Sequence, residues 1–240
     1  SVAIALYAYA AVSFGVVILY KFLDIEDGGT EKKDRKSIGA ELAEGFRYAY
    51  NHTGIRNLMI MTAIVTLFLQ PYMEMLPAFA TEIFGRKVEG YAMLATSAGL
   101  GAMFGGLWLA QRGRTEGLMR ILLVSTLIGV LSVIAFSQTS NFYLAMAEMF
   151  LSGIALVSSG ICTLSLIQNS VDANVRGRVI SFNGILVTGG PALGAIIIGT
   201  VAERYGVQNP VMVSAMLGLV IWLIMVRPNM KQAARLEIAD

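Results

Sequence analysis

Two carboxylates stand where carboxylates are costly. Glu74 lies in the apolar run NLMIMTAIVTLFLQPYMEMLPAFATEIFG, between Pro71 and Pro77, and Glu148 lies in the run from Phe142 to Gln168. An ionisable group inside a membrane span costs about 2.5–3.5 kcal/mol on insertion scales, so it usually faces a bundle interior or a watery path. Polar neighbours accompany both. Thr62, Thr66, Gln70 and Glu74 recur every four residues, and Glu148, Ser152, Ser159 and Thr163 fall roughly along one helical face. Counted at about 1.5 Å per residue from the ends of their runs, the two glutamates sit at similar depth, in the outer third of a hydrocarbon core about 30 Å thick. The chemistry on offer is hydrogen bonding and proton exchange, because a carboxylate whose hydration differs between two states takes up a proton in one and releases it in the other.

Other chemistries lack their residues. No phosphate-cradling GxxxxGK[ST] occurs, so ATP hydrolysis by this chain is not expected. His52 is the only histidine and Cys162 the only cysteine, which leaves no metal-ligand cluster, no Ser-His-acid set and no disulfide framework. The glycine run SAGLGAMFGG lacks the spacing and the preceding strand of a dinucleotide site. The chain is expected to be no enzyme, to hold no metal or cofactor and to bind no nucleic acid.

The elements that must position the two acids are membrane helices. Of 240 residues 56% are hydrophobic and only 14% charged, with a mean hydropathy of +0.67, and apolar runs of about 20 residues recur along the whole chain. Seven spans are predicted, near 1–22, 57–80, 90–110, 118–137, 142–168, 179–201 and 210–226. Alternate connections carry 15 of the 18 Lys and Arg residues against 3 on the other side. The positive-inside rule therefore places Ser1 outside and Asp240 in the cytoplasm. Ser1 already stands within an apolar segment, with no recognisable signal peptide, and an upstream part is expected. In the polar stretch 24–56, Ile38, Leu42 and Phe46 share a face of SIGAELAEGFRYAY, which predicts a short amphipathic helix along the inner membrane surface.

The spans differ in kind, and the differences repeat in threes. A polar-striped span is followed by one rich in glycine (Gly99, Gly101, Gly105, Gly106) and one that is aliphatic. The order then restarts with the striped run holding Glu148, a second glycine-rich span (Gly184, Gly189, Gly190, Gly194, Gly199, with Pro191) and a last aliphatic one. Two triplets of odd length have opposite topologies, as in the inverted repeats of transporters. Gly101 and Gly105, and likewise Gly190, Pro191 and Gly194, are the candidate interhelical packing positions, since small residues let helix backbones approach.

These residues also carry a resemblance. The connector ELAEGFRYAYNHTGIRN, the run LPAFATEIFG with EGYAMLATSAGLGAMFGG after it, and RGRVISFNGILVTGGPALGAIIIGTVAERYG resemble, in order and spacing, the C-terminal half of major facilitator superfamily exporters, in particular the branch of enterobactin exporters and macrolide efflux pumps. The resemblance implies an all-α membrane protein whose seven transmembrane helices correspond to helices six to twelve of a twelve-helix transporter. The implied parts are a transmembrane helix at 1–23, a cytoplasmic connector with an amphipathic helix at 24–56, a C-terminal six-helix bundle at 57–227 and a cytoplasmic tail at 228–240. It implies further that the striped helices line a central cavity and that the glycine-rich ones pack against the other half. The turn GLWLAQRGRT is similar to the family's gating motif at Gly106, Gly113 and Arg114, with Ala110 where an aspartate stands in the stronger copy. Arg112, Gly113, Arg114 and Arg178 are the candidates for a cytoplasmic gate, with Glu116 and Asp172 as nearby acids.

The function expected is that of a secondary active membrane transporter, a proton-coupled exporter or antiporter of a small siderophore-like or drug-like molecule, present here as its C-terminal half. Glu74, Glu148, Gln70, Thr66, Ser152 and Ser159 are the candidate proton and substrate pathway. The partners expected are the substrate, protons, the lipid bilayer and a missing N-terminal six-helix half, in a bacterial inner membrane. A non-transporting membrane scaffold and an inactive transporter fragment are the alternative readings.

Overall fold

A computed structural model describes residues 38–237. The predicted first span, 1–23, and the connector as far as residue 37 lie outside the described residues, as do the last three positions. Helix α1 covers Ile38–Asn51, α2 Thr53–Ala63, α3 Tyr72–Ala78, α4 Val88–Arg112, α5 Leu118–Gln138, α6 Phe142–Ser170, α7 Ala173–Tyr205 and α8 Gln208–Glu237. Among the described residues six stretches are long and apolar enough to cross a membrane, the first being the whole of Thr53–Ile83. Local signals set the ends. Asn141 Oδ1 accepts from the Tyr143 and Leu144 amides at 3.0 and 3.3 Å to open α6. The α4–α5 turn uses Gly113 and Gly117 at φ 57° and 75°, a region open to glycine without steric cost.

The first striped span is not a uniform α-helix. After α2 the backbone passes into a π-helical segment, Ile64–Leu69, closed by the Gln70 amide donating to the Val65 carbonyl at 2.8 Å. Pro71 then restarts the chain as α3, and a second π segment, Phe79–Ile83, follows Pro77. Four residues in an α-helix overshoot a full turn by about 40°. A wider i→i+5 turn takes that overshoot back. A four-residue repeat, which would drift round a regular α-helix, is therefore held on one side from Thr62 through Gln70.

The bundle is drawn together by its glycines. A Cβ on Gly105 would lie 2.9 Å from the Ile154 carbonyl oxygen, one on Gly101 would run into the Phe150 carbonyl, and one on Gly153 into that of Ala98, so α4 and α6 touch backbone to backbone. Helix α7 meets the broken span in the same way: Gly190 faces Thr66, and Gly194 faces Leu67 and Pro71. Gly101, Gly105, Gly190 and Gly194 are thus turned into their own bundle rather than outward to a second one. The glycines of α4, α6 and α7 with no neighbour within 4 Å are Gly99, Gly160, Gly177, Gly184 and Gly189. The remaining core forms two apolar clusters. One gathers Ile55, Leu58, Met119, Leu122, Leu166 and Trp222 towards the arginine-rich end, and the other Tyr72, Phe79, Phe136, Phe142 and Val211 towards the opposite end.

The predicted boundary after 227 moves. Helix α8 continues through Pro228 to Glu237, with Asn229 and Leu236 buried. Arg227 and Pro228 look like a stop signal in sequence, but contacts beyond them hold the helix. Glu237 accepts from the Gly117 and Met119 amides at 2.7 and 2.9 Å, placing a carboxylate on the N-terminus of α5, and Ser170 donates to the Leu236 carbonyl at 2.9 Å. Residues 228–237 are a helical brace across the arginine-rich end.

Candidate functional site

Three spans bring uncharged polar side chains into one cavity of about 210 Å³. Thr62, Val65, Thr66 and Gln70 enter from the broken span, Leu156, Val157, Ser159, Gly160 and Thr163 from α6, and Asn183 and Val187 from α7. Parts of the two predicted stripes meet here: Thr62, Thr66 and Gln70 of the first, Ser159 and Thr163 of the second. Thr62 donates to Asn183 Oδ1 at 3.1 Å, tying the broken span to α7. Thr66 and Ser159 donate to carbonyls of their own helices, Thr62 O at 2.9 Å and Leu156 O at 2.9 Å, which leaves their oxygen lone pairs facing outward. Among the described residues the side chains of Gln70 and Thr163 form no hydrogen bond. Among the described residues none that is ionisable lines the cavity. Pro191 also matters here, because it removes the donor that the carbonyl of Val187 would have in a regular helix.

Ser152 takes a different place. It is buried, donates to the Met149 carbonyl at 2.8 Å and shares a 2.7 Å hydrogen bond with the Tyr72 hydroxyl. Ser152 therefore clamps the two striped spans together beside the cavity and is not among its lining residues. Face assignment from sequence could not see this, since the partner hydroxyl comes from the opposite side of the Pro71 break.

The two acids stand outside the lining of the cavity. Glu74 is exposed and opposite the buried Tyr72 on α3, and Glu148 is half-buried on α6. In an α-helix Glu148 and Ser159, eleven residues apart, return to within about 20° of one face. Neither acid lines the cavity, and among the described residues neither forms an ion pair or a hydrogen bond. Arg86 instead stacks over Phe142 at 4.1 Å from the ring centroid and lies 5.9 Å from Tyr143.

The gate candidates divide. Arg112 donates to the backbone carbonyl of Glu116 at 2.6 Å, bracing the turn in which Gly113 caps α4, while Arg114 is exposed. Arg178 pairs with Glu44 of α1 at 2.7 Å rather than with Asp172 or Glu116. A Cβ on Gly45 would lie 2.7 Å from the Arg178 carbonyl oxygen, and Phe46 packs edge-on to Phe182 at 5.5 Å. The amphipathic helix predicted in the connector therefore docks on the arginine-rich end of α7. At that junction the Tyr48 hydroxyl is held above its ordinary range, first by burial and then by the nearby Asp172 carboxylate.

Sequence reasoning missed Asn183. It is the one amide from a glycine-rich span in the cavity, and a single Asn amid small residues gives no periodic signal. Its signature is energetic, because an amide buried in an apolar span needs a partner.

A family model described as a transmembrane secretion effector matches residues 2–239. Macrolide efflux protein A of Streptococcus pyogenes is 23% identical over 203 residues, covering 82% of this chain and 49% of that protein. The uncharacterized MFS-type transporter YfmI of Bacillus subtilis is 24% identical over 180 residues, covering 73% of this chain and 44% of the relative. The chain spans about half the length of the curated relatives it matches.

Proposed function

The chain belongs to the transmembrane secretion effector family of major facilitator transporters, a family of multi-pass membrane proteins, and from that premise we propose that it forms half of a proton-coupled exporter of a small, partly apolar molecule. The observation that carries this reading is the three-span cavity lined by Thr62, Thr66, Gln70, Ser159, Thr163 and Asn183, with Val65, Leu156, Val157 and Val187 between them. Such a lining offers orientation through neutral hydrogen bonds and affinity through apolar contact, the mixture that small-molecule sites use. Gln70 and Thr163 leave hydrogen-bonding capacity for a ligand, which helix packing alone does not call for. A drug-like or siderophore-like cargo fits that chemistry, and the name of the streptococcal relative points the same way.

Glu74 and Glu148 supply the coupling in this reading. Each is a carboxylate within a membrane-crossing stretch, and among the described residues neither pairs with a basic residue, so each is available to exchange a proton along the path. The alternation itself needs a second six-helix bundle against which this one rocks.

The test is export of a radiolabelled macrolide from vesicles holding the full-length protein, driven by an imposed pH gradient. Glu74→Gln, Glu148→Gln and the double variant are compared with wild type, and at least one single variant is expected to lose tenfold or more of the gradient-driven rate. Wild-type gradient dependence in all three variants would remove the acids from the mechanism.

A further inference from the structure

We propose that the arginine-rich end of the bundle carries a binding site for one anionic phospholipid, between α1, α2 and α7. A groove of about 270 Å³ is walled there by Phe46, Ala49 and Tyr50 of α1, Met59, Ile60 and Ala63 of α2, and Phe182 and Leu186 of α7, with Arg56 as the only charged residue lining it among the described residues. The groove is greasy along its length and cationic at one end. That combination matches a lipid, whose acyl chain needs the first property and whose phosphate needs the second.

Several observations favour a lipid over any other occupant. Among the described residues Arg56 has no carboxylate partner; its guanidinium lies 5.8 Å from the Tyr50 ring centroid and donates weakly to the Tyr50 carbonyl at 3.4 Å. It stands in the first turn of α2, where the helix dipole is positive, so an anion relieves both charges at once. Phe46 and Tyr50 are 52% and 60% exposed beside it, as aromatic side chains at headgroup level commonly are. The apolar wall from Met59 to Ala63 runs into a membrane-crossing stretch, so the groove opens along the direction an acyl chain takes. The connections of this end hold most of the chain's Lys and Arg, the side that faces anionic lipid in bacterial and other membranes. A lipid seated there would touch α1 and α7 together, and so would hold the connector helix against the span that supplies Asn183.

Purified full-length protein exchanged between phosphatidylglycerol and phosphatidylcholine in detergent, with bound lipid counted by native mass spectrometry, tests the site. Wild type should retain phosphatidylglycerol in preference, and Arg56→Gln should lower that preference about fivefold, the equivalent of about 1 kcal/mol for one basic residue at an anionic surface. Ala63→Phe keeps the charge but fills the groove, and should reduce retention as well. Arg120→Gln, an exposed charge of the same end outside the groove, should leave the preference unchanged. An unaltered preference in Arg56→Gln overturns the proposal. Retention lost in Arg56→Gln but kept in Ala63→Phe overturns it too, since that result describes a charged surface without a groove.

Discussion

Replacing Gly194 by alanine should destabilise the bundle, whereas the same change at Gly184 on the same helix should not. A Cβ at 194 would stand 2.5 Å from the Leu67 carbonyl oxygen and closer still to the Pro71 ring, where ordinary van der Waals contact begins near 3.4 Å. About 1 Å must open, and neither a carbonyl nor a proline ring swings aside as a long side chain would. Overpacking of this kind costs about 1–3 kcal/mol. At Gly184 nothing lies within 4 Å, and alanine is favoured over glycine inside a helix by up to about 1 kcal/mol. The two variants should therefore differ by about 1–4 kcal/mol, roughly 5- to 900-fold in the unfolding constant. Titrating each full-length variant with sodium dodecyl sulfate in mixed micelles, and following helix loss, measures the difference. Midpoints for Gly194→Ala and Gly184→Ala that agree to within about 0.5 kcal/mol would refute the claim that this glycine face lies inside the bundle.

Two further outcomes follow from the same contacts. Asn183→Leu deletes the 3.1 Å bond to Thr62 and should cost only about 0.6–1.7 kcal/mol of stability. It should raise the KM for a transported macrolide severalfold, and an unchanged KM would take Asn183 out of the binding site. Glu237→Ala removes the carboxylate from the Gly117 and Met119 amides and should lower stability by about 0.5–2 kcal/mol; hydrogen exchange at the start of α5 should rise with it, and no rise would mean that the brace contributes nothing.

The sequence by itself determined the six described membrane helices, their three-by-three order and the two polar stripes. Those properties are written in local composition: an apolar run of about 20 residues has few other stable environments, and a polar residue within it must find company. Thr66, Gln70 and Ser159 were legible for that reason, and the structure brings them into one cavity. The tertiary structure decided the rest. Glycine carries no side chain to show which way it points, so only the assembled bundle reveals that Gly101 and Gly194 face inward while Gly99 and Gly184 face outward. A projection at 3.6 residues per turn cannot register i→i+5 turns, so the segment Ile64–Leu69 that aligns Thr62 with Gln70 was invisible. Arg178 chose Glu44 over Asp172, and Ser152 chose Tyr72 over the cavity. Each pairing joins groups 80 or more positions apart, and which of several chemically suitable partners comes within 3 Å depends on the packing of whole helices rather than on any property of the residue itself.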